Sequence, residues 1–282
     1  MGRPGAGHTP QLVYRHTVPV RIWHWLTVAA VMGLLFTGFN VVNVHPRLYW
    51  GEVGNAATPP AIALISTEPG GPKATTHPAP AALVVGSHTW DVTGWLGAAW
   101  DLGADGMYFV IAITPDSWHF GAMRAWHFAW AWLLVLTWLA FLAYLVSSGR
   151  MWRVLMPTSE QRTARALIRD ILDHLRLRRW SGASAQHYNL LQKLSYLFVL
   201  LVLIPAAILS GLTMSNAVTA RFPELYTLFG GRQSARTVHA LCAAAVVVFA
   251  LVHFFQLFVA GFFNEIRSML TGYFEIHREK GA

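Results

Sequence analysis

Residues 21–42 read RIWHWLTVAAVMGLLFTGFNVV, an arginine and a histidine one helical turn apart at the mouth of a long apolar run. A helix crossing a bilayer core needs about 20 mostly apolar residues, and the stretch 22–42 meets that length. Three further blocks do so, near residues 126–147, 194–214 and 238–262. R-x-x-H opens two of them, as RAWH (Arg124, His127) and RTVH (Arg236, His239). The expected fold class is all-α integral membrane, a bundle of four transmembrane helices forming a single domain over residues 1–282.

Composition supports this. Of 282 residues, 55% are hydrophobic and 12% charged, about half the charged share of a soluble domain. The net charge of +8 follows topology. With the N-terminus inside, 15 of the 21 Lys and Arg lie in inner segments, and seven of the 13 acidic residues lie in outer ones. This positive-inside asymmetry puts both termini in the cytoplasm, and it argues against a nucleic-acid partner. The single cysteine, Cys242, excludes an internal disulfide and a cysteine-ligated iron–sulfur cluster. No C-x-x-C-H is present, which excludes covalent c-type haem. The first span reads as an uncleaved anchor.

Residues 1–20 read as a short polar tail. Residues 43–124 form a long extracytoplasmic segment whose Pro-, Gly- and Ala-rich centre is expected to be loop, followed by an aromatic half that caps the bundle. Met107–Thr114 is too short to span. In the inner segment 148–193, TSEQRTARALIRDILDHLRLRRW reads as an amphipathic surface helix that meets membrane lipid, with Thr158 and Gln161 as a capping box.

Ionisable groups inside spans are costly and mark function. His24, His127, His239 and His253 lie in or at the edges of spans. His239 and His253, 14 residues apart, share one helix face and stand roughly 21 Å apart along its axis. Topology sets His24 level with His253 inside, and His127 level with His239 outside. Paired imidazoles in an apolar four-helix bundle suit the two axial positions of a haem iron. A catalytic zinc or non-haem iron site would need carboxylates that the spans lack. Arg21, Arg124 and Arg236 each lie one turn toward the membrane surface from a histidine, on the same face, and their forks suit haem propionates.

R-x-x-H-W in the first span and H-x13-H in the last resemble the di-haem b-type cytochrome subunits of respiratory formate dehydrogenase, nickel–iron hydrogenase and thiosulfate reductase. The resemblance covers all four spans, and NVHPRLYWG (43–51) with HYNLLQKL (187–194) looks most like the thiosulfate-reductase branch. It implies two haem b groups, with His24 paired to His253 and His127 to His239. It also implies an extracytoplasmic oxidoreductase partner, of molybdopterin type in that branch, and a quinone site beside the inner haem. His187, Asn189 and Gln192, at the inner start of the third span, are the candidates for the quinone head group. That span offers no histidine ligand, and Pro205 is expected to kink it. His45, His88 and His119 match no compact zinc spacing. The expected function is a membrane-anchoring di-haem cytochrome b carrying electrons between quinone and an outer redox partner. The rival readings are a stand-alone ferric or ascorbate-type haem reductase and a histidine-dependent transporter.

Overall fold

The computed structural model describes residues 11–55, 57–67, 80–93, 96–100, 107–111, 120–176 and 188–276. Four helical stretches are long and apolar enough to cross a membrane: Val18–Val42, Phe120–Ser147, Leu190–Thr213 and Arg232–Ala260. Each begins four to six residues before the apolar run that announces it, because the helical hydrogen-bond ladder extends past the hydropathy edge. Arg21, Arg124 and Arg236 therefore all stand on helix. Large apolar side chains such as Met32, Trp132, Leu136, Val248 and Leu251 face outward, while Ala30, Thr37, Ser210 and Thr237 are buried. That distribution inverts a soluble protein's and suits a lipid environment, where small and hydroxylated residues sit between helices.

The elements, in order, are β1 (Gln11–Tyr14), α1 (Val18–Asn43), β2 (Arg47–Leu48), β3 (Ile62–Ser66), β4 (Ala81–Val85), β5 (His88–Asp91), β6 (Leu96–Trp100), β7 (Met107–Ile111), α2 (Phe120–Ser147), α3 (Ala164–Leu175), α4 (Leu190–Phe198), α5 (Ile204–Thr213), α6 (Asn216–Arg221), α7 (Glu224–Phe229), α8 (Arg232–Ala260), α9 (Phe262–Thr271) and β8 (Tyr273–Ile276). They group into two compact units, both of which take segments of α1, α2 and α8.

The first unit comprises Met1–Val28, Leu136–Leu203 and Ala245–Ala282. Phe141, Leu145, Met151 and Leu200 form its buried centre, and Trp23 stacks on Phe141 with ring centroids 3.8 Å apart. A π-helical turn, Val199–Leu203, joins α4 to α5. It lies just before Pro205, which has no N–H to continue the α pattern. Trp138 Nε1 donates to the Leu200 carbonyl in that turn at 2.9 Å. The stretch near the N-terminus is no plain tail: β1 pairs antiparallel with β8, Gln11 opposite Ile276. Arg15 Nη1 bonds both carboxylate oxygens of Glu265, at 3.1 and 3.2 Å.

The expected cap at Thr158 is corrected. Gln161 Oε1 does accept from the Thr158 backbone N–H, but α3 starts at Ala164 and Thr163 Oγ1 accepts from Ala166 N–H. An intervening turn displaces the helix from the first hydroxyl that resembles a cap. The reciprocal capping box belongs instead to α4. There the Asn189 side chain accepts from the Gln192 N–H at 2.8 Å, and Gln192 Oε1 accepts from the Asn189 N–H.

The second unit comprises Ala29–Val135 and Ile204–Ala244. Its described strands depart from the all-α and loop expectations for the segment between the first two spans. β2, β3, β4 and β5 form an antiparallel sheet in that order, and β6 pairs with β7. The register of the central pair runs from Ile62 opposite Val85 to Ser66 opposite Ala81. Each strand is at most five residues long, so its alternation is too brief to stand out beside Pro and Gly. The Gly51 carbonyl accepts from the Gln233 and Ser234 N–H groups, capping the start of α8. Thr237 Oγ1 donates to the Tyr49 carbonyl at 2.6 Å.

Candidate functional site

α1 carries Arg21 and His24 in the first unit, and α8 brings His253 to face them. The rings of His24 and His253 stand with centroids 6.4 Å apart, tilted by 55°. Phe249, one turn before His253, stacks on the latter's ring, while Trp25 meets His24 edge-on. In the second unit the rings of His127, on α2, and His239, on α8, stand 6.1 Å apart at 71°. The chain thus sets together the same two couples that topology proposes.

These gaps allow a test of fit. Two imidazole nitrogens bound at about 2 Å on opposite sides of a metal ion would place their ring centroids about 6 Å apart. Both couples have that separation. In the second unit the ring tautomers also follow from the hydrogen bonds. His239 Nδ1 lies 2.9 Å from the Ala207 carbonyl, which can only accept, so Nδ1 carries the proton and Nε2 keeps a lone pair. Thr37 Oγ1 donates its one proton to the Gly33 carbonyl at 2.7 Å. It is therefore an acceptor toward His127 Nδ1 at 3.0 Å. Both rings of this couple keep a free Nε2, as metal ligation requires. In the first unit, His24 Nδ1, Trp23 Nε1 and Thr27 Oγ1 are buried with no partner among the described residues. A run of orphaned polar atoms beside paired imidazoles fits a site that receives a further polar group. The donor set is compatible with haem.

The arginines are placed differently from one another. Arg21 Nη1 donates to the Leu270 carbonyl at 2.6 Å, and its Nε is buried with no partner among the described residues. Arg236 donates to the His45 carbonyl. Arg124 is exposed, with its guanidinium 5.8 Å from the Phe120 ring centroid. Of the quinone candidates, Asn189 and Gln192 lend their side-chain oxygens to the cap of α4, and His187 lies outside the described residues. His45 stacks on Tyr49 and His88 on Trp90, while His119 lies outside the described residues. Among the described residues no group of three or more His, Cys, Asp or Glu is placed to hold a metal ion.

Flanking charges show how polar groups are managed outside the spans. His16, only 4% exposed, has its imidazole pushed down to about 4 by burial and by the neighbouring Arg15 cation. Burial also raises the Tyr188 phenol above its ordinary value. Burial, then the Arg236 and Arg47 charges, lowers His45.

Sequence reasoning missed two pairs of residues. Thr37–Gly38 lies against His127, and Ser210–Gly211 lies against His239: a Cβ on Gly38 would stand 3.3 Å from the His127 ring, and one on Gly211 3.2 Å from the His239 ring. The available signal was a hydroxyl followed by glycine inside an apolar run, in FTGF (36–39) and LSGL (209–212).

Residues 15–272 match the family model described as prokaryotic cytochrome b561. A curated relative, "Putative protein-methionine-sulfoxide reductase subunit YedZ1" of Azospira oryzae, is 40% identical over 141 residues, covering 50% of this chain and 67% of the relative. No solved structure matches the chain.

Proposed function

We propose that this chain, which belongs to the prokaryotic cytochrome b561 family, is a multi-pass membrane electron-transfer subunit that carries two haem b groups. His24 and His253 would hold one, and His127 and His239 the other. The observation that carries this reading is the pair of imidazole gaps, 6.4 and 6.1 Å, each formed within one compact unit. Haem, when bound, supplies a one-electron ferric–ferrous couple.

The residues of the chain supply the rest. His127 and His239 would bind through Nε2, and the helices of each couple hold its two rings facing each other. Exposed Met32, Trp132, Leu136 and Val248 present apolar surface to lipid, so water is kept away from the couples. Arg21, Arg124 and Arg236 serve as propionate partners; the unsatisfied Nε of Arg21 supports the first assignment most directly. The His24–His253 couple lies toward the cytoplasm, as do both termini of the chain, following the positive-inside distribution. A quinone head group is met near His187, Asn189 and Gln192, where the amide nitrogens of Asn189 and Gln192 remain to donate.

The partner is an extracytoplasmic oxidoreductase subunit, of molybdopterin type in our reading. The relative's name, a subunit of a protein-methionine-sulfoxide reductase, supports an oxidoreductase partner.

The test is a dithionite-reduced absorption spectrum and a haem count on the purified chain. Two b-type haems per chain are expected, falling to one in H24A or H253A and, independently, to one in H127A or H239A. A preparation without reducible b-type bands would sink the reading. Co-purification of a large redox subunit tests the partner, whereas a chain that purifies alone and by itself reduces ferric iron or is reduced by ascorbate would favour a stand-alone reductase.

A further inference from the structure

Each imidazole of the His127–His239 couple rests on a hydroxyl followed by glycine, contributed by a different helix from its own. Thr37–Gly38 of α1 receives His127, and Ser210–Gly211 of α5 receives His239. The two seats are built alike. In each, the hydroxyl spends its proton on its own helix: Thr37 on the Gly33 carbonyl at 2.7 Å, Ser210 on the Ala206 carbonyl at 2.6 Å. Its lone pairs are then turned to the histidine, 3.0 Å from His127 Nδ1 and 3.3 Å from His239 Nδ1. The glycine removes the Cβ that would crowd the ring, leaving room for that approach. At His239 the Ala207 carbonyl shares the same proton at 2.9 Å. Among the described residues the His24 ring has no such seat, and its buried Nδ1 has no partner.

We infer that Thr37–Gly38 and Ser210–Gly211 are positioning residues that lock both Nδ1 protons of this couple and so hold down the reduction potential of the haem it ligates. The inference rests on the two-haem reading above. A proton held by an oxygen acceptor makes the imidazole a stronger donor at Nε2, and a stronger axial donor stabilises the oxidised iron. Among the described residues the His24 ring lacks this lever, so the seats set the two haems apart chemically although both have the same ligand type.

Optical redox titration of the purified holoprotein, with the low-spin ferric signals read by electron paramagnetic resonance, tests this. T37V keeps the volume and removes the acceptor. One of the two midpoints should move to higher potential and the other stay. T37S should restore the native value, and S210A should shift the same midpoint upward. Selective loss of one haem in T37V, restored in T37S, also supports the inference. Two haems with unmoved midpoints in T37V overturn it while leaving the two-haem reading intact. Loss of both haems in T37V and T37S alike overturns it as well. A wild-type chain with fewer than two haems instead refutes the reading on which the inference stands.

Discussion

Gly211 and His239 approach so closely that a Cβ on the glycine would stand 3.2 Å from Cε1 and 3.4 Å from Nδ1 of the ring. Such a distance is tighter than ordinary van der Waals contact, so any side chain there must displace the imidazole. G211V is expected to lose or loosen one haem of the pair while the other persists, read as a drop from two haems to one in a pyridine haemochrome assay. Retention of both haems with native spectra would contradict the crowding argument.

Gly231 and Gly51 give a graded pair. Gly231 has φ +115° and a Cβ there would lie 2.5 Å from the Gly51 carbonyl oxygen, the acceptor that caps α8. Gly51 has φ +88° but open space around it. G51A should therefore cost about 1 kcal/mol through backbone strain alone, and G231A should cost about 3 kcal/mol through strain plus loss of the cap. Thermal midpoints in detergent should rank wild type above G51A above G231A; equal losses would show that the cap contributes nothing.

Arg15 and Glu265 join residues 250 positions apart, with side chains only 13% and 16% exposed. Removing one partner leaves a largely desolvated guanidinium without its counter-charge. E265Q should lower stability by about 2 kcal/mol, less than the loss for a fully buried pair because both groups retain some solvent. The double variant R15M/E265Q should recover much of it. A double variant as unstable as the sum of the singles would rule out coupling between the two.

His16 makes stability depend on pH. Burial, then Arg15, depresses its folded-state pKa from 6.5 to about 4, so the unfolded chain binds the extra proton first. Its effect on stability is absent above about pH 6.5, and stability is lost as pH falls from there toward about 4, by on the order of 3 kcal/mol over the window. H16Q should flatten the acid limb of the melting-temperature profile between pH 6.5 and 4.5. A variant profile parallel to wild type would assign the acid loss to other groups.

The four spans were legible because crossing a membrane imposes a length and a composition that nothing else in a sequence imitates. The histidine couples were legible in outline for a related reason: helices of constant rise turn residue number into depth. The sheet over residues 47–91 was not, since two- to five-residue strands carry almost no periodic signal and their stability comes from cross-strand partners distant in sequence. Asn189 and Gln192 read as candidate ligands, and the fold uses their oxygens to cap α4, because a polar helix start and a polar binding site have the same composition. The hydroxyl–glycine seats were the least legible. A threonine or serine in an apolar helix satisfies itself on its own backbone, so Thr37 and Ser210 look inert along the chain. By itself, then, the sequence determined that this chain crosses a membrane and which ionisable residues it carries there. Only the tertiary structure decided which oxygen faces which ring nitrogen, because a hydrogen bond between helices depends on their separation and rotation, and neither is encoded in the periodicity of one helix.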